Sequence, residues 1–279
     1  MKIINKQVLT EAEGVRTTKI EVESPLIAEK ARPGQFVILM VSEEGERIPL
    51  TVVSAKRDMG TITLIFQEVG FTTKLLGKLN TGDSLYALTG PMGHATEIKN
   101  YGKVILIGGG VGIAEIYPIT KALKEAGNSL AVIIGARTKK LLILEKELKE
   151  TANEFYVTTD DGSYGRKGFV TDVLKELLAY NLKLKAYSLI YAVGPIPMMK
   201  KVSHVSRDFN IKTLVSLNSL MVDATGMCGG CRVNIKGKAK FTCMDGPEFD
   251  AHDVDWEGLE KRSKIYSDKE KHICKLYNL

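Results

Sequence analysis

The sequence has no long hydrophobic run, no internal repeat and no low-complexity segment. No apolar stretch approaches the roughly 18 residues that a membrane helix needs, and charged residues follow Met1 too early for a signal-peptide core. We therefore expect a cytoplasmic protein without a membrane partner. With 44% hydrophobic and 26% charged residues in 279, the composition is that of a globular protein able to bury a core.

Cysteine is scarce and unevenly placed. The chain has four cysteines, of which Cys228, Cys231 and Cys243 share one short stretch while Cys274 stands apart. In a protein that is not exported, such clustering indicates metal ligation rather than disulfide bonds.

A surplus of acidic residues is also absent, since the formal net charge is +6. A basic protein raises the hypothesis of nucleic-acid binding. However, residues 98–222 carry 18 basic and 11 acidic side chains, whereas residues 223–279, which hold the clustered cysteines, carry ten of each. A nucleic-acid binder built on a zinc ribbon needs basic charge around its metal site. We therefore predict no nucleic-acid partner and assign the surplus to attraction for a diphosphate cofactor or an acidic partner.

The pattern of the chain predicts a β plus α/β architecture in three parts. Residues 1–97 contain closely spaced β-rich segments, which predict a small antiparallel barrel with one helix near Thr72–Leu79. Residues 98–222 alternate apolar strands with helical segments, including a helix near Lys140–Thr151, and this predicts a parallel sheet. Residues 223–279 are rich in Gly, Cys and Asp and predict a small lobe that a metal centre stabilises.

Three short motifs of the predicted barrel suit an anionic cofactor. An Arg on a strand can pair with a pyrophosphate, and Thr hydroxyls and N–H groups at a helix start can bind its remaining oxygens. The candidate residues are Arg47, Pro49, Leu50 and Thr51; Gly70, Thr72 and Thr73; and Gly90, Pro91 and Gly93.

The α/β segment opens with a glycine-rich turn between a strand and a helix, the position at which dinucleotide pyrophosphates bind. Its glycines are Gly108, Gly109, Gly110 and Gly112, and Glu115 lies where a third glycine of the usual spacing could fall. A second turn, Gly194-Pro195, follows a later strand. Arg137 ends the second strand, where a 2′-phosphate could be recognised, so these residues leave the choice between NADH and NADPH open.

Together these motifs resemble the ferredoxin-NADP reductase superfamily, in which an FAD-binding barrel precedes a nicotinamide-binding α/β domain. The resemblance rests on Arg47-x-Pro-Leu-Thr51, Gly90-Pro91-x-Gly93, Gly-Gly-Val-Gly-Ile-Ala and Val193-Gly-Pro. In that superfamily the glycine turn usually ends in Pro, at the position of Glu115. The resemblance implies that the barrel residues named above bind FAD and that the α/β residues bind NAD(H).

The cysteine segment has the spacing Asp223-x4-Cys228-x2-Cys231-x11-Cys243. Two thiolates separated by two residues can hold one side of a metal centre while a third closes it. A zinc site is an alternative, because Cys-x2-Cys is also a zinc spacing. The flavin-type barrel favours an iron–sulfur cluster, whose fourth ligand is either Asp223 or Cys274.

This spacing resembles the four-cysteine 2Fe-2S pattern of dihydroorotate dehydrogenase electron-transfer subunits, with Asp223 in place of the first cysteine. With Gly-Met-Cys-Gly-Gly-Cys-Arg and Asp-Gly-Pro-Glu-Phe-Asp, it closely resembles the small subunits of NADH-dependent reduced ferredoxin:NADP oxidoreductase and of sulfide dehydrogenase. This resemblance covers essentially the whole chain. It implies a 2Fe-2S cluster ligated by Asp223, Cys228, Cys231 and Cys243, with Cys274 a free structural thiol.

The resemblance further implies an oxidoreductase subunit in which hydride passes between NAD(H) and FAD and single electrons pass to the 2Fe-2S cluster. It implies a larger partner subunit with another FAD and 4Fe-4S clusters, and electron bifurcation linking NADH, NADPH and ferredoxin. No catalytic acid, base or nucleophile is predicted, because the protein places the cofactors and tunes their potentials. The alternatives are an electron-transfer subunit of dihydroorotate dehydrogenase and, from another class, a zinc-ribbon nucleic-acid binder.

Overall fold

The computed structural model describes residues 1–180 and 187–277, which form two compact units. The first unit contains Met1–Ala95, Asn218–Pro247 and Asp255–Leu279, and the second contains Thr96–Leu217 and Glu248–Val254. The chain thus passes from the first unit to the second and back twice. Among the described residues, no helix has the length and apolar character needed to cross a membrane.

The first unit is built on a six-stranded antiparallel sheet, as predicted, with strand order β1-β2-β5-β4-β3-β6. A bridge between Lys2 and Ser84 brings the segment before β6 to the start of β1, so the sheet curves toward a barrel. Its elements are β1 (Ile3–Ala12), β2 (Val15–Glu23), α1 (Pro25–Lys30), β3 (Phe36–Met40), β4 (Ile48–Lys56), β5 (Thr61–Gln67), α2 (Phe71–Lys78) and β6 (Ala87–Met92).

Apolar residues at every second position of the strands build the core of this barrel. Ile62, Leu64 and Phe66 recur at every second position of β5, and all three are buried in its core. The apolar face of α1, formed by Ile27 and Ala28, packs against the same core.

The second unit is a seven-stranded sheet in the order β10-β9-β8-β7-β11-β12-β15, parallel except for the last strand. Its elements are β7 (Lys103–Gly109), α3 (Gly112–Glu125), β8 (Ser129–Ala136), a 3-10 turn (Lys139–Leu141), α4 (Glu145–Thr151), β9 (Glu154–Thr159), β10 (Arg166–Lys167), α5 (Val170–Tyr180), β11 (Leu189–Val193), α6 (Ile196–Asp208), β12 (Thr213–Ser216) and β15 (Glu248–Asp250). Strands β7 and β11 are almost wholly apolar because both faces of a parallel sheet are covered.

One predicted helix is wrong in its extent. The segment predicted as a helix near Lys140–Thr151 is a 3-10 turn at Lys139–Leu141 followed by the separate helix α4. Leu144 adopts a left-handed backbone with φ of 53°, which interrupts an α-helix. The Lys/Glu-rich composition carries no signal for this break.

The cysteine segment contributes short elements to the first unit. Strands β13 (Arg232–Ile235) and β14 (Lys238–Phe241) form a hairpin, and one turn of helix, α7 (Thr242–Asp245), follows. Two helices complete the chain after β15, namely α8 (Trp256–Ser263) and α9 (Ser267–Leu276). The three-part boundaries that the sequence suggests remain a prediction, although the predicted fold class is confirmed.

Candidate functional site

The cysteine segment is anchored on the barrel by apolar contacts. Cys231 and Cys243 are buried together with Met221 and Ala224 against Phe36 and Ile38 of β3. The segment therefore rests on the strand that also pairs with β4 and β6, which carry two of the three predicted flavin motifs.

The four predicted cluster ligands lie in two close pairs. Asp223 Oδ1 is 3.3 Å from Cys228 Sγ, and Cys231 Sγ is 3.2 Å from Cys243 Sγ. Among the described residues, no three His, Cys, Asp or Glu side chains are arranged to hold one metal ion. Two pairs of donors suit a centre with two irons, in which each iron takes two protein ligands, better than a single zinc ion.

Backbone N–H groups surround these donors. Asp223 accepts hydrogen bonds from the N–H groups of Thr225 and Cys228, and the bond from Thr225 is the main reason that the pKa of Asp223 is lowered. The N–H of Gly230 points at Cys228 Sγ from 3.4 Å. Such donors stabilise negative charge on ligand oxygen and sulfur and tune the potential of a cluster.

The buried thiol of Cys243 is costly to ionise without a metal. Burial, followed by the hydrogen bond with Cys231, raises the pKa of Cys243 to about 12. Metal ligation needs thiolates, so a bound cationic centre would compensate the charge that burial disfavours. The donor set therefore fits an iron–sulfur cluster. Cys274 lies on α9 and is only partly exposed.

The predicted flavin motifs flank β3. Strand β3 pairs with β4 on one side, with Phe36 opposite Thr51, Val37 opposite Leu50 and Ile38 opposite Pro49. On its other side β3 pairs with β6, where Phe36 lies opposite Met92. Arg47 directly precedes β4, and the Gly90-Pro91 bond on β6 is cis. An added Cβ on Gly90 would lie 3.2 Å from the carbonyl oxygen of Phe36, so the backbones approach closely there.

The turn that ends in Gly93 adjoins the end of the cysteine segment. The N–H of His94 donates to the carbonyl oxygen of Gly246 at 2.7 Å, and an added Cβ on Gly93 would lie 2.8 Å from Pro247. Gln35 donates to the carbonyl oxygen of Gly93 at 2.8 Å and fixes the turn from the other side. The structure thus brings a predicted flavin turn and the predicted cluster segment together within one unit.

The start of α2 differs from the sequence-based picture. Thr73 Oγ1 caps the helix by accepting the N–H of Gly70 at 2.9 Å, and Thr72 Oγ1 donates to Glu46 Oε2 at 2.6 Å. The carboxylate of Glu270 on α9 occupies the space beside Gly70. Both hydroxyls therefore serve protein contacts here, and the donors left for a diphosphate are the N–H groups of the first helical turn.

In the second unit, the two predicted glycine turns lie side by side. An added Cβ on Gly112 would lie 2.6 Å from the carbonyl carbon of Val193, and one on Gly194 would lie 3.1 Å from the carbonyl oxygen of Gly109. Gly110 has φ of +57°, a conformation that glycine adopts readily. Only glycine allows β7, α3 and β11 to approach this closely.

These turns lie where the direction of chain progression across the sheet reverses. From β7 the chain continues through β8 and β9 on one side, and it returns to β11 and β12 on the other. Open α/β sheets bind ligands at the carboxyl ends of the strands at such a switch point. The glycines Gly108, Gly109, Gly110 and Gly112, together with Gly194 and Pro195, therefore form a cleft edge suited to a dinucleotide.

The structure also contains a buried polar group that the sequence analysis missed. Glu248 Oε1 accepts hydrogen bonds from Tyr191, at 2.6 Å, and from Thr96. Burial raises the pKa of Glu248. Burial also raises the pKa of Tyr191 well above 10, and the nearby carboxylate of Glu248 raises it further. No sequence motif marks this contact, because it depends on β15 joining the sheet beside β12.

Comparisons with known proteins agree with both parts of the site. Residues 218–255 match the iron-sulfur cluster binding domain of dihydroorotate dehydrogenase B, and residues 106–204 match the oxidoreductase NAD-binding domain. A Thermotoga maritima homolog of the electron transfer subunit of dihydroorotate dehydrogenase B is 48% identical, over 90% of this chain and 87% of that protein. The corresponding Geobacillus thermodenitrificans subunit is 31% identical, over 91% of this chain and 97% of that protein.

Solved structures give the same relationship. A chain of an NADH-dependent reduced ferredoxin-NADP oxidoreductase, a structure described as giving insight into flavin-based electron bifurcation, is 42% identical with a TM-score of 0.92, covering 100% of this chain and 98% of that one. Ferredoxin-NADP+ reductase from Plasmodium falciparum shares the fold, with a TM-score of 0.63 at 16% identity, covering 77% of this chain and 94% of that one.

These relationships confirm the predicted oxidoreductase class and the cofactor set of FAD, an iron–sulfur cluster and NAD(H). They confirm an electron-transfer role as well, since the relatives are named electron transfer subunits. The chain belongs to the family of flavin and iron–sulfur electron-transfer subunits that includes those of dihydroorotate dehydrogenase B and of NADH-dependent reduced ferredoxin-NADP oxidoreductase, within the ferredoxin-NADP reductase fold.

Proposed function

We propose that this chain is the NADH-oxidising subunit of an electron-bifurcating NADH-dependent ferredoxin:NADP oxidoreductase. The observation that supports this choice is the Asp223–Cys228 pair, in which Asp223 Oδ1 lies 3.3 Å from Cys228 Sγ. Asp223 thus provides a carboxylate at the position where dihydroorotate dehydrogenase subunits have a cysteine. The similarity to a chain of such an oxidoreductase over this entire sequence also supports this choice.

In this proposal, Asp223 and Cys228 hold one iron of a 2Fe-2S cluster, and Cys231 and Cys243 hold the other. The pairing of the donors supports this division. A carboxylate is a harder ligand than a thiolate and is expected to change the cluster's potential. The N–H groups of Thr225, Cys228 and Gly230 would then limit the build-up of charge on the exposed half of the centre.

We propose that FAD is bound by the barrel residues Arg47, Pro49, Leu50, Thr51, Gly70, Thr72, Thr73, Gly90, Pro91 and Gly93. Thr72 and Thr73 would contribute their backbone N–H groups, because their hydroxyls contact other protein groups. Bound FAD supplies the conversion between hydride transfer and single-electron transfer. The backbone contact between His94 and Gly246 keeps the flavin turn next to the cluster segment, which favours electron transfer between the two sites.

Residues of the second unit are proposed to bind NADH. Gly108, Gly109, Gly110 and Gly112 let the backbone and the start of α3 approach the pyrophosphate, and Gly194 and Pro195 close the other side of the cleft edge. Arg137 and its neighbours at the ends of β8 and β9 are proposed to face the adenosine ribose.

The partner subunit is proposed to dock around the cluster segment. Cys228 is exposed, and an apolar rim surrounds it that consists of Leu220, Val222, Met227 and Met244, of which Met227 is 87% exposed. Val222 packs beside Gly230 and Met244 beside Gly226, so the rim is continuous with the ligand loop. An exposed apolar patch of this kind marks an interaction site. The proposed partner is a larger subunit with FAD and 4Fe-4S clusters, which exchanges electrons with ferredoxin.

The test is anaerobic purification of the chain with the subunits that accompany it, followed by flavin and iron analysis and assay. We expect FAD, a 2Fe-2S signal in electron paramagnetic resonance, and reduction of NADP coupled to NADH and reduced ferredoxin. Co-purification of a dihydroorotate-oxidising subunit without this coupling would favour the dihydroorotate dehydrogenase alternative. A colourless protein that contains zinc would contradict both functions.

A further inference from the structure

The carboxyl ends of β8 and β9 bring one arginine and two aspartates together. The parallel pairing ends at Ala136 and Thr159, and two backbone bonds continue beyond it. Asp160 N–H donates to the carbonyl oxygen of Ala136 at 3.1 Å, and Asp161 N–H donates to that of Arg137 at 3.2 Å. Arg137, Asp160 and Asp161 are therefore held in fixed register at one corner of the sheet.

This corner is where an α/β dinucleotide site distinguishes its two nucleotides. The side chain after the second strand lies near the adenosine ribose; an acidic group there accepts the 2′-hydroxyl of NAD, whereas an arginine accommodates the 2′-phosphate of NADP. In this chain β7 is the first strand of the α/β segment and β8 is the second, and the residue that follows β8 is Arg137. The arginine by itself would favour NADPH. The net charge near the 2′ position of the ribose therefore depends on whether the neighbouring carboxylates offset the charge of Arg137.

The two aspartates have different surroundings. Asp161 Oδ1 accepts the N–H of Ser163 at 2.9 Å and its hydroxyl at 2.7 Å, and these bonds lower the pKa of Asp161. Asp160 has no such side-chain bond among the described residues, and its charged neighbours are Asp161 and Arg137. Partial burial raises the pKa of Asp160, as expected of a carboxylate that lacks donors of its own. The carboxylate of Asp161 accepts hydrogen bonds within its own turn, whereas the carboxylate of Asp160 can accept a hydrogen bond from a ligand.

The nearest lysines are placed differently from Arg137. The Lys139 ammonium lies over the ring of Tyr164, 4.6 Å from its centroid, and the Lys139 N–H donates to Ser163. The aliphatic chain of Lys167 packs over Gly162, and Lys140 is exposed on the 3-10 turn. Arg137 and Asp160 are therefore the charged residues that directly follow the two strands, and the positive charge of Arg137 acts on the Asp160 carboxylate.

From this arrangement we propose that Asp160 is the residue that selects NADH over NADPH. Its carboxylate accepts a hydrogen bond from the 2′-hydroxyl of the NADH adenosine ribose, neutralises Arg137 and repels a 2′-phosphate. This inference rests on the proposed function, because it requires a nicotinamide nucleotide in the cleft of the second unit. Asp160 acts on binding and does not touch the atoms that exchange hydride.

The test compares Asp160→Asn with Asp161→Asn in the full-length, flavin-loaded protein. Both substitutions remove one negative charge from the same turn, so they share any long-range charge effect. Oxidation of NADH and NADPH is measured with ferricyanide as acceptor, which makes the assay independent of the partner subunit. Flavin content and thermal melting show whether each variant is folded.

We expect Asp160→Asn to raise the ratio of kcat/KM for NADPH to that for NADH by about tenfold or more, because a hydrogen bond to a charged group and a repulsion are both lost. The change should lie mainly in KM, since the ribose is remote from the reacting carbon. Inhibition by 2′-phosphoadenosine 5′-phosphate should strengthen, whereas inhibition by adenosine 5′-phosphate should weaken. Asp161→Asn should leave the ratio within about twofold of the unmodified protein.

Three outcomes would overturn the specificity proposal while the oxidoreductase function stands. The unmodified protein could prefer NADPH, Asp160→Asn could leave the ratio of kcat/KM for NADPH to that for NADH unchanged, or the two substitutions could change this ratio equally. A flavin-loaded protein that oxidises neither nucleotide would instead overturn the proposed NADH oxidation, and the role of Asp160 with it.

Discussion

Cys231 and Cys243 meet at an Sγ–Sγ distance of 3.2 Å in the apolar contact between the cysteine segment and β3. Both are almost fully buried, with exposures of 3% and 2%, whereas Cys228 is exposed. The proposed cluster therefore has a buried half fixed by packing against the barrel and an exposed half held by hydrogen bonds. In the proposed complex, this asymmetry would turn the exposed half toward the partner.

The asymmetry predicts the order in which cysteines react. In protein freed of metal, iodoacetamide should modify Cys228 first and Cys274 next, because both thiols are more accessible than the buried pair. Cys231 and Cys243 should react only slowly, since alkylation needs an accessible thiolate. Peptide mass spectrometry over time measures this order. Protein carrying the cluster should show protection of Cys228 while Cys274 still reacts; modification of Cys228 at an equal rate would contradict its role as a ligand.

Substitution of the fourth ligand separates the two candidates. Asp223→Ala should lose most of the cluster, because Cys228 is left as the sole protein donor of the exposed pair. Asp223→Cys should retain the cluster with an altered electron paramagnetic resonance spectrum, since thiolate is a softer ligand. Iron content and visible absorbance measure how much cluster each variant retains, and electron paramagnetic resonance measures the change in Asp223→Cys. Cys274→Ser is the matched control, and loss of cluster in that variant but not in Asp223→Ala would show that the assignment is wrong.

The close packing of α3 against β11 makes Gly112 intolerant of a side chain. A Cβ there would overlap the Val193 carbonyl group, which is backbone and cannot move aside by changing rotamer. Gly112→Ala should therefore destabilise the second unit and abolish nicotinamide oxidation. Gly110→Ala is the control, because nothing lies within 4 Å of its added Cβ and only its positive φ opposes the change. That strain costs about 1 kcal/mol. Thermal melting should show a much larger loss for Gly112→Ala, and equal losses would contradict the packing argument.

The buried carboxyl group of Glu248 predicts a pH dependence of stability. Its pKa is raised above 4.5 in the folded protein, so the folded state binds this proton more tightly than the unfolded chain does. The resulting stabilisation is complete below pH 4.5 and decreases as the pH rises through the folded pKa. Glu248→Gln does not titrate, so its melting temperature relative to the unmodified protein should increase with pH above 4.5. A difference between Glu248→Gln and the unmodified protein that stays constant as the pH changes would contradict this assignment.

The sequence analysis succeeded where a local pattern determines structure. Closely spaced β-rich segments located the barrel strands. The spacing of the cysteines pointed to one metal-binding segment, but it suggested that Cys228 and Cys231 share one side of the centre, whereas the structure pairs Cys228 with Asp223 and Cys231 with Cys243. The sequence analysis failed where distant segments meet. The bond between Glu248 and Tyr191 joins residues 57 positions apart, and the carboxylate of Glu270 reaches Gly70 from the last helix. Neither contact has a periodic or spacing signal, because each depends on how the returning chain packs.

The apolar rim gives a final prediction about the partner. Met227 is 87% exposed and directly precedes Cys228, so Met227→Asp should place an unpaired charge at the centre of the proposed interface without altering a ligand. Burying that charge should weaken association with the partner subunit by at least about tenfold. Leu26→Asp is the control, because Leu26 is 74% exposed on α1 of the same unit and lies outside the rim. Both variants should keep their flavin, their iron content and NADH oxidation with ferricyanide. Binding is measured by biolayer interferometry under anaerobic conditions, and equal affinities of the two variants would locate the partner elsewhere on the chain.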